Sequence, residues 1–81
     1  MTKFRKKPVV IDAMQWMGYM TLELREFLTN CDFTVEGPTL YIETLEGRMA
    51  TTLLDYVICG IKGEFYPCAE DIFELTYERV E

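Results

Sequence analysis

The stretch YVICGIKGEFYPC, residues 56–68, consists of two short runs of β-branched and aromatic residues on either side of Gly60-Ile61-Lys62-Gly63. Such residues favour extended chain, and glycine adopts the positive φ angles that a tight reversal demands. The stretch therefore predicts a β-hairpin with Lys62 exposed at its tip. Upstream, TLYIETL breaks at Glu46-Gly47 into RMATTLL, and FTVE breaks at Gly37-Pro38, so alternation and turn residues repeat the pattern. Asp55 starts the turn that joins the two hairpins into a meander.

Toward the N-terminus, PVVIDAMQW reads as a first strand starting at Pro8, a residue tolerated where a strand begins. Val10, Asp12, Met14 and Trp16 share one face, and Val9, Ile11, Ala13 and Gln15 share the other. Both faces are largely apolar, which predicts an interior strand, or one packed on the core and on a partner. After Gly18, Thr21 is placed to cap a helix that runs to Asn30, with Met20, Leu24, Phe27 and Leu28 on one apolar stripe. The C-terminal AEDIFELTYERVE carries both periods, and a helical turn over residues 69–72 followed by a closing strand satisfies both. The resulting fold class is α+β. It is a single small domain, residues 1–81, with an antiparallel sheet of about five or six strands, a meander or partly closed barrel, and one helix packed on it.

Hydrophobic residues make up 49% of the chain and aromatic residues 14%, too much for a disordered polypeptide. The apolar runs fall far short of the roughly 20 residues that span a bilayer, and the basic start lacks the apolar stretch of a signal peptide. A cytoplasmic protein is expected. Cys31, Cys59 and Cys68 are odd in number and lack CxxC spacing, which argues for reduced thiols over a disulfide framework. The chain has no histidine, and so lacks the usual base near neutral pH and the usual partner of a nucleophilic Ser or Cys. Neither GxGxxG nor GxxxxGK[ST] occurs. No catalytic residue, metal site or cofactor is expected.

Net charge is −6, unevenly spread: Lys3, Arg5, Lys6 and Lys7 supply four of the eight basic residues, and residues 1–7 contain no acid. Residues 1–7 thus form a basic N-terminal arm on a body that holds all fourteen acidic residues. An acidic body repels a phosphate backbone within a Debye length of about 8 Å, which disfavours direct nucleic-acid binding and suits a basic protein partner. Asp12, Asp55, Glu64 and Asp71 lie near strand ends or turns, but none has calcium-loop spacing. They read as solvated surface, with Asp55 organising a turn and Asp71 a helix start. Trp16, Tyr41, Tyr56, Phe65 and Tyr66 join the four arm residues as candidate binding residues, since amphipathic rings combine contact area with a hydrogen bond. So small a domain cannot conceal five tyrosines, and some of Tyr19, Tyr41, Tyr66 and Tyr77 are expected at a partner surface.

Two stretches, KFRKKPVVIDAMQW and TLEGRMATTLLDYVICGIKGEFYPCAEDIFELTY, resemble a family of short phage and prophage proteins of the PGDYG-like type. That family opens with an RKKPVV-type arm and strand and carries a GDY-type turn before a KGEFYPC-type hairpin. Here Leu54 stands where the pattern has glycine, which weakens the expectation of a positive-φ turn before Asp55. The resemblance implies a bacteriophage or prophage origin and the cytoplasm of a bacterial host cell. It implies no catalytic residues.

Two functional readings follow. In the first, the chain is a non-catalytic accessory protein that binds a bacterial host macromolecule, such as a defence or regulatory component, through an acidic and aromatic surface steered by charge. In the second, it is a small-molecule or nucleotide-binding module that sequesters its ligand. The arm would meet the anion while Trp16, Tyr56 or Phe65 stacks on a base. The arm is expected to act as a clasp across acidic neighbours of the sheet or of a second subunit, each exposed pair contributing about 0.2–1 kcal/mol. A homodimer is expected, because the domain is small, aromatic-rich and leaves a sheet edge open.

Overall fold

Six antiparallel strands and two short helices build an α+β fold in the computed structural model, which describes residues 1–80. In chain order they are β1 (Asp12–Gln15), α1 (Leu22–Phe27), β2 (Phe33–Glu36), β3 (Thr39–Thr44), β4 (Gly47–Thr51), β5 (Tyr56–Cys59), β6 (Phe65–Cys68) and α2 (Glu70–Thr76). The single meander or partly closed barrel expected from the alternation is replaced by two three-stranded sheets, β1-β5-β6 and β2-β3-β4, with no closed barrel. Both hairpins are as read, but the chain does not continue from β4 to pair with β5. Instead β5 pairs with β1, placing Gln15 opposite Tyr56 and Asp12 opposite Cys59.

The link between the sheets explains this change of partner. Asp55 accepts hydrogen bonds at Oδ2 from the Thr52 amide and hydroxyl, both at 2.8 Å, and the Asp55 amide returns to the Thr52 carbonyl. The turn so formed is locked to the end of β1: the Leu54 amide donates to the Trp16 carbonyl, and the Trp16 amide to the Asp55 carbonyl, each at 2.8 Å. Leu54 carries φ +75°, the left-handed conformation usually filled by glycine. The positive-φ turn therefore forms despite the missing glycine, because surrounding hydrogen bonds over-determine it.

The first strand begins at Asp12, not Pro8, and it is an edge strand, not an interior one. Its neighbour runs out: after Cys59 the chain turns through Gly60 to Gly63, with the Gly60 amide bonded to the Glu64 carbonyl at 2.7 Å. Residues 8–11 keep their β-branched character but have no ladder to join. The first helix is also shorter than the apolar stripe suggested. Thr21 caps it, accepting from the Leu24 amide at 3.1 Å, but the helix ends at Phe27 with Leu28 as its C-cap. At the C-terminus Glu70–Thr76 is a helix and no strand follows it among the described residues, in place of the short turn and closing strand expected from the alternation.

One face of the β1-β5-β6 sheet, the inner face of the β2-β3-β4 sheet and α1 enclose the main core. Trp16, Leu24, Leu28, Leu40, Ile42 and Val57 are buried there, with Met14, Met20, Phe27, Cys31, Phe33 and Phe65 packed around them. Trp16 has no exposed surface, and its indole N–H donates to the Pro38 carbonyl at 2.8 Å, tying β1 to the β2-β3 turn. The second face of the β1-β5-β6 sheet carries Ala13, Tyr56, Ile58 and Tyr66 by strand alternation. Over it lies α2, which buries none of its own residues.

Candidate binding surfaces

The nine candidate residues read from the sequence do not converge on one place. Trp16 is part of the core, so its ring is closed to a ligand in this structure. Phe65 lies on the core-facing side of its sheet, edge-to-face with Phe27 at 5.5 Å between ring centroids. Tyr66, its neighbour in β6, points to the opposite side by alternation. Tyr41 stands on the outer face of the other sheet. These placements distribute the candidates over three surfaces.

The first surface surrounds the arm and α2. Tyr56 stacks on Phe73 at 3.8 Å and 9°, and Phe73 meets Tyr77 at 5.1 Å, making an aromatic column from β5 to the end of α2. Lys6 caps that column: its ammonium lies 5.0 Å from the Tyr77 ring centroid and donates to the phenol oxygen at 3.3 Å. Burial, reinforced by the neighbouring Tyr77 phenol, pushes the Tyr66 phenol up from its ordinary value. Beside the column runs a groove of about 430 Å³ whose walls include Val9, Val10 and Ile11 on one side and Tyr77 and Val80 on the other. Asp12, Glu78 and Arg79 also line it, so both signs of charge are present.

Lys3, Arg5 and Lys7 are exposed. Ion pairs among the described residues join Arg48 to Glu36 and to Glu43 and include no arm residue. Among the described residues the expected clasp across acidic neighbours of the same chain is therefore not formed. Lys6 instead makes a cation–π contact with Tyr77.

The second surface is the outer face of the β2-β3-β4 sheet. Arg48 lies over Tyr41 with its guanidinium carbon 4.1 Å from the ring centroid, held by Glu36 at 3.1 Å and Glu43 at 3.2 Å. Opposite pairing of Glu43 with Arg48 and of Tyr41 with Ala50 puts these side chains on one face. The third surface adjoins it: a groove of about 360 Å³ lined by Asp32, Glu43 and Glu64, with Phe65 and Leu45 among its apolar walls. No Lys or Arg lines this groove. The Glu64 carboxylate is held by the Lys62 amide at 3.0 Å, while the Leu45 side chain is fully exposed.

Sequence reasoning missed Phe73, Arg48 and the Asp32–Glu43–Glu64 groove. The spacing of Phe73 and Tyr77, four residues apart, was the available signal for the aromatic column. The groove had none, because its acids come from separate connections that only the fold assembles. Among the described residues no group of three or more His, Cys, Asp or Glu side chains is placed to hold a metal ion, and no helix is long and apolar enough to cross a membrane. All three cysteines are free. Comparison with protein families, curated proteins and solved structures finds no match to this chain.

Proposed function

We propose that this chain is a non-catalytic binding protein that docks on a basic bacterial host protein through the Asp32–Glu43–Glu64 groove and the adjoining Tyr41 face. The observation that supports this reading is the groove itself: three acids with no lining cation, beside exposed Leu45 and the edge of Phe65. A lysine or arginine side chain of a partner fits both its charge and its apolar walls, because such side chains bury an aliphatic stem behind a cationic head. Glu43 is shared with Arg48, which leaves Asp32 and Glu64 as the principal charges offered to the partner. The phage accessory role implied by the RKKPVV-type and KGEFYPC-type stretches accords with a protein that works by occupying a host surface.

The nucleotide-sequestering reading draws less support. Trp16 is buried, Phe65 is engaged with Phe27, and one face of Tyr56 is taken by Phe73, so none of its three proposed stacking rings stands free.

The test uses the immobilised chain and its Asp32→Lys/Glu64→Lys variant, loaded with bacterial lysate at low salt and eluted along a salt gradient. A defined basic protein retained by the parent and lost from the variant supports the reading. It is then confirmed by titrating the purified pair, whose affinity should fall with salt. Equal retention by both chains, or none by either, refutes it.

A further inference from the structure

The arm and α2 carry opposite, unmatched charge on neighbouring parts of one surface. Glu70, Asp71, Glu74 and Glu78 load the helix and its exit with carboxylates, and no basic residue lies within residues 70–78. Lys3, Arg5 and Lys7 are exposed on the arm whose Lys6 is anchored on Tyr77, and they enter no ion pair among the described residues. The groove between them joins an apolar wall, Val9 to Ile11, to Asp12, Glu78 and Arg79, and further apolar side chains on the arm and on α2 are exposed. Val10, Ile72 and Val80 are each more than half exposed, Leu75 is 88% exposed, and the 430 Å³ groove runs between Val9–Ile11 and Tyr77–Val80.

We infer that this surface is the interface of a twofold dimer, in which the arm of each copy lies against α2 of the other. A patch that holds a basic segment and an acidic helix side by side is complementary to itself when rotated by a twofold axis, since each sign then meets its opposite twice. A uniformly basic partner would answer α2 and repel the arm, and a uniformly acidic partner the reverse. The exposed apolar side chains of the arm, groove and α2 supply contact area, with the arm and α2 charges around them. A stable interface needs about 800 Å² from each partner. That is near an eighth of this chain's 6472 Å² of accessible surface.

Sedimentation velocity across a concentration series, at low and high salt, tests this with two charge-reversed chains. One carries Lys3→Glu, Arg5→Glu and Lys7→Glu, leaving Lys6 in place against Tyr77. The other carries Asp71→Lys, Glu74→Lys and Glu78→Lys, leaving Glu70, whose carboxylate accepts from Gln15 at 3.2 Å. The parent should dimerise, with dissociation strengthened by salt. Each reversed chain alone should dimerise at least about tenfold more weakly, because repulsion replaces attraction at both symmetric contacts. Mixed in equal amounts, the two should form a heterodimer, since each acidic arm then meets a basic helix and each basic arm an acidic one. Recovery on mixing also shows that neither variant failed to fold. A parent that stays monomeric throughout, a dimer indifferent to both reversals, or a mixture that does not recover overturns the inference. The lysate-binding groove lies elsewhere, so this result and that of the acidic groove are read independently.

Discussion

Replacing Thr51 with valine is expected to stabilise the chain. Thr51 is fully buried at the end of β4, opposite Leu40, and its hydroxyl finds no hydrogen-bond partner among the described residues. A hydroxyl removed from water without a partner costs about 1–3 kcal/mol by mutational measures. Valine keeps the branched shape and the χ1 preference, so the extended backbone is equally well served. The new methyl adds up to roughly 0.8 kcal/mol of apolar transfer. Seating a group that differs in size and polarity opposes this by about 1 kcal/mol where the core is tight. The net expectation is about 1–2 kcal/mol of added stability, or roughly 5–10 °C in Tm for a chain of this length.

The assay is urea unfolding followed by the fluorescence of Trp16, the single tryptophan, which is fully buried in the folded chain. A Thr51→Ser control keeps the hydroxyl and deletes the methyl, and should lose about 1 kcal/mol. The ordering Val above Thr above Ser, at constant m, supports the reasoning. A valine variant equal to or less stable than the parent, with m unchanged, refutes it, because the hydroxyl would then be satisfied in solution.

Leu54→Gly should be more stable than Leu54→Ala by about 1 kcal/mol, the reverse of the usual order, because alanine retains the strain of φ +75° that glycine relieves. Equal stabilities in chemical denaturation would contradict that. Trp16→Phe should cost about 2–4 kcal/mol, since it leaves a cavity and removes the indole hydrogen bond to the Pro38 carbonyl. A loss below about 1 kcal/mol in thermal unfolding would show that the site repacks freely. Burial first, then the charges of Asp32 and Cys59, pushes the Cys31 thiol up, so iodoacetamide should label it more slowly in the native chain than in urea. The raised value favours the protonated thiol in the folded state. Its contribution to stability is therefore complete below the ordinary thiol value of 9.0 and declines as pH rises through the folded value. Mass spectrometry of pulse-labelled chain checks both statements, and equal labelling rates in the two states would overturn them.

The hairpins were legible because each is specified locally, by a turn residue between alternating runs. The division into two sheets was not. Alternation tells which face a side chain takes but not which strand lies beside it, and the pairing of Tyr56 with Gln15 joins residues far apart in the chain. At the C-terminus Phe73, Leu75 and Tyr77 satisfy a strand, whereas Phe73 and Tyr77 satisfy a helix. The choice falls to the helix because that places both rings in one column on Tyr56, leaving Leu75 outside. Trp16 shares a face with Met14 in the sequence pattern, but two apolar faces do not tell which is the core side, and the structure puts both residues there. The acidic groove required tertiary structure, since Asp32, Glu43 and Glu64 are brought together by separate connections.

The apolar character of both faces of PVVIDAMQW has two different causes once the sheets are separated. On one side Met14 and Trp16 meet a core filled by α1 and the second sheet. On the other, Ile58 is buried, but the helix over the sheet buries none of its own residues, and the strand's own approach, Val9 and Val10, stays exposed. Burial of an apolar side chain contributes roughly 1.5–3 kcal/mol, so a covering layer left half-built forgoes stabilisation on the scale of a small domain's whole margin. The arm's charges form no ion pair that supplies the difference among the described residues, where Lys3, Arg5 and Lys7 pair with no carboxylate. In the proposed dimer, α2 of the second copy supplies that partner. The proposed dimer thus gives the basic arm and the thin second layer a single account.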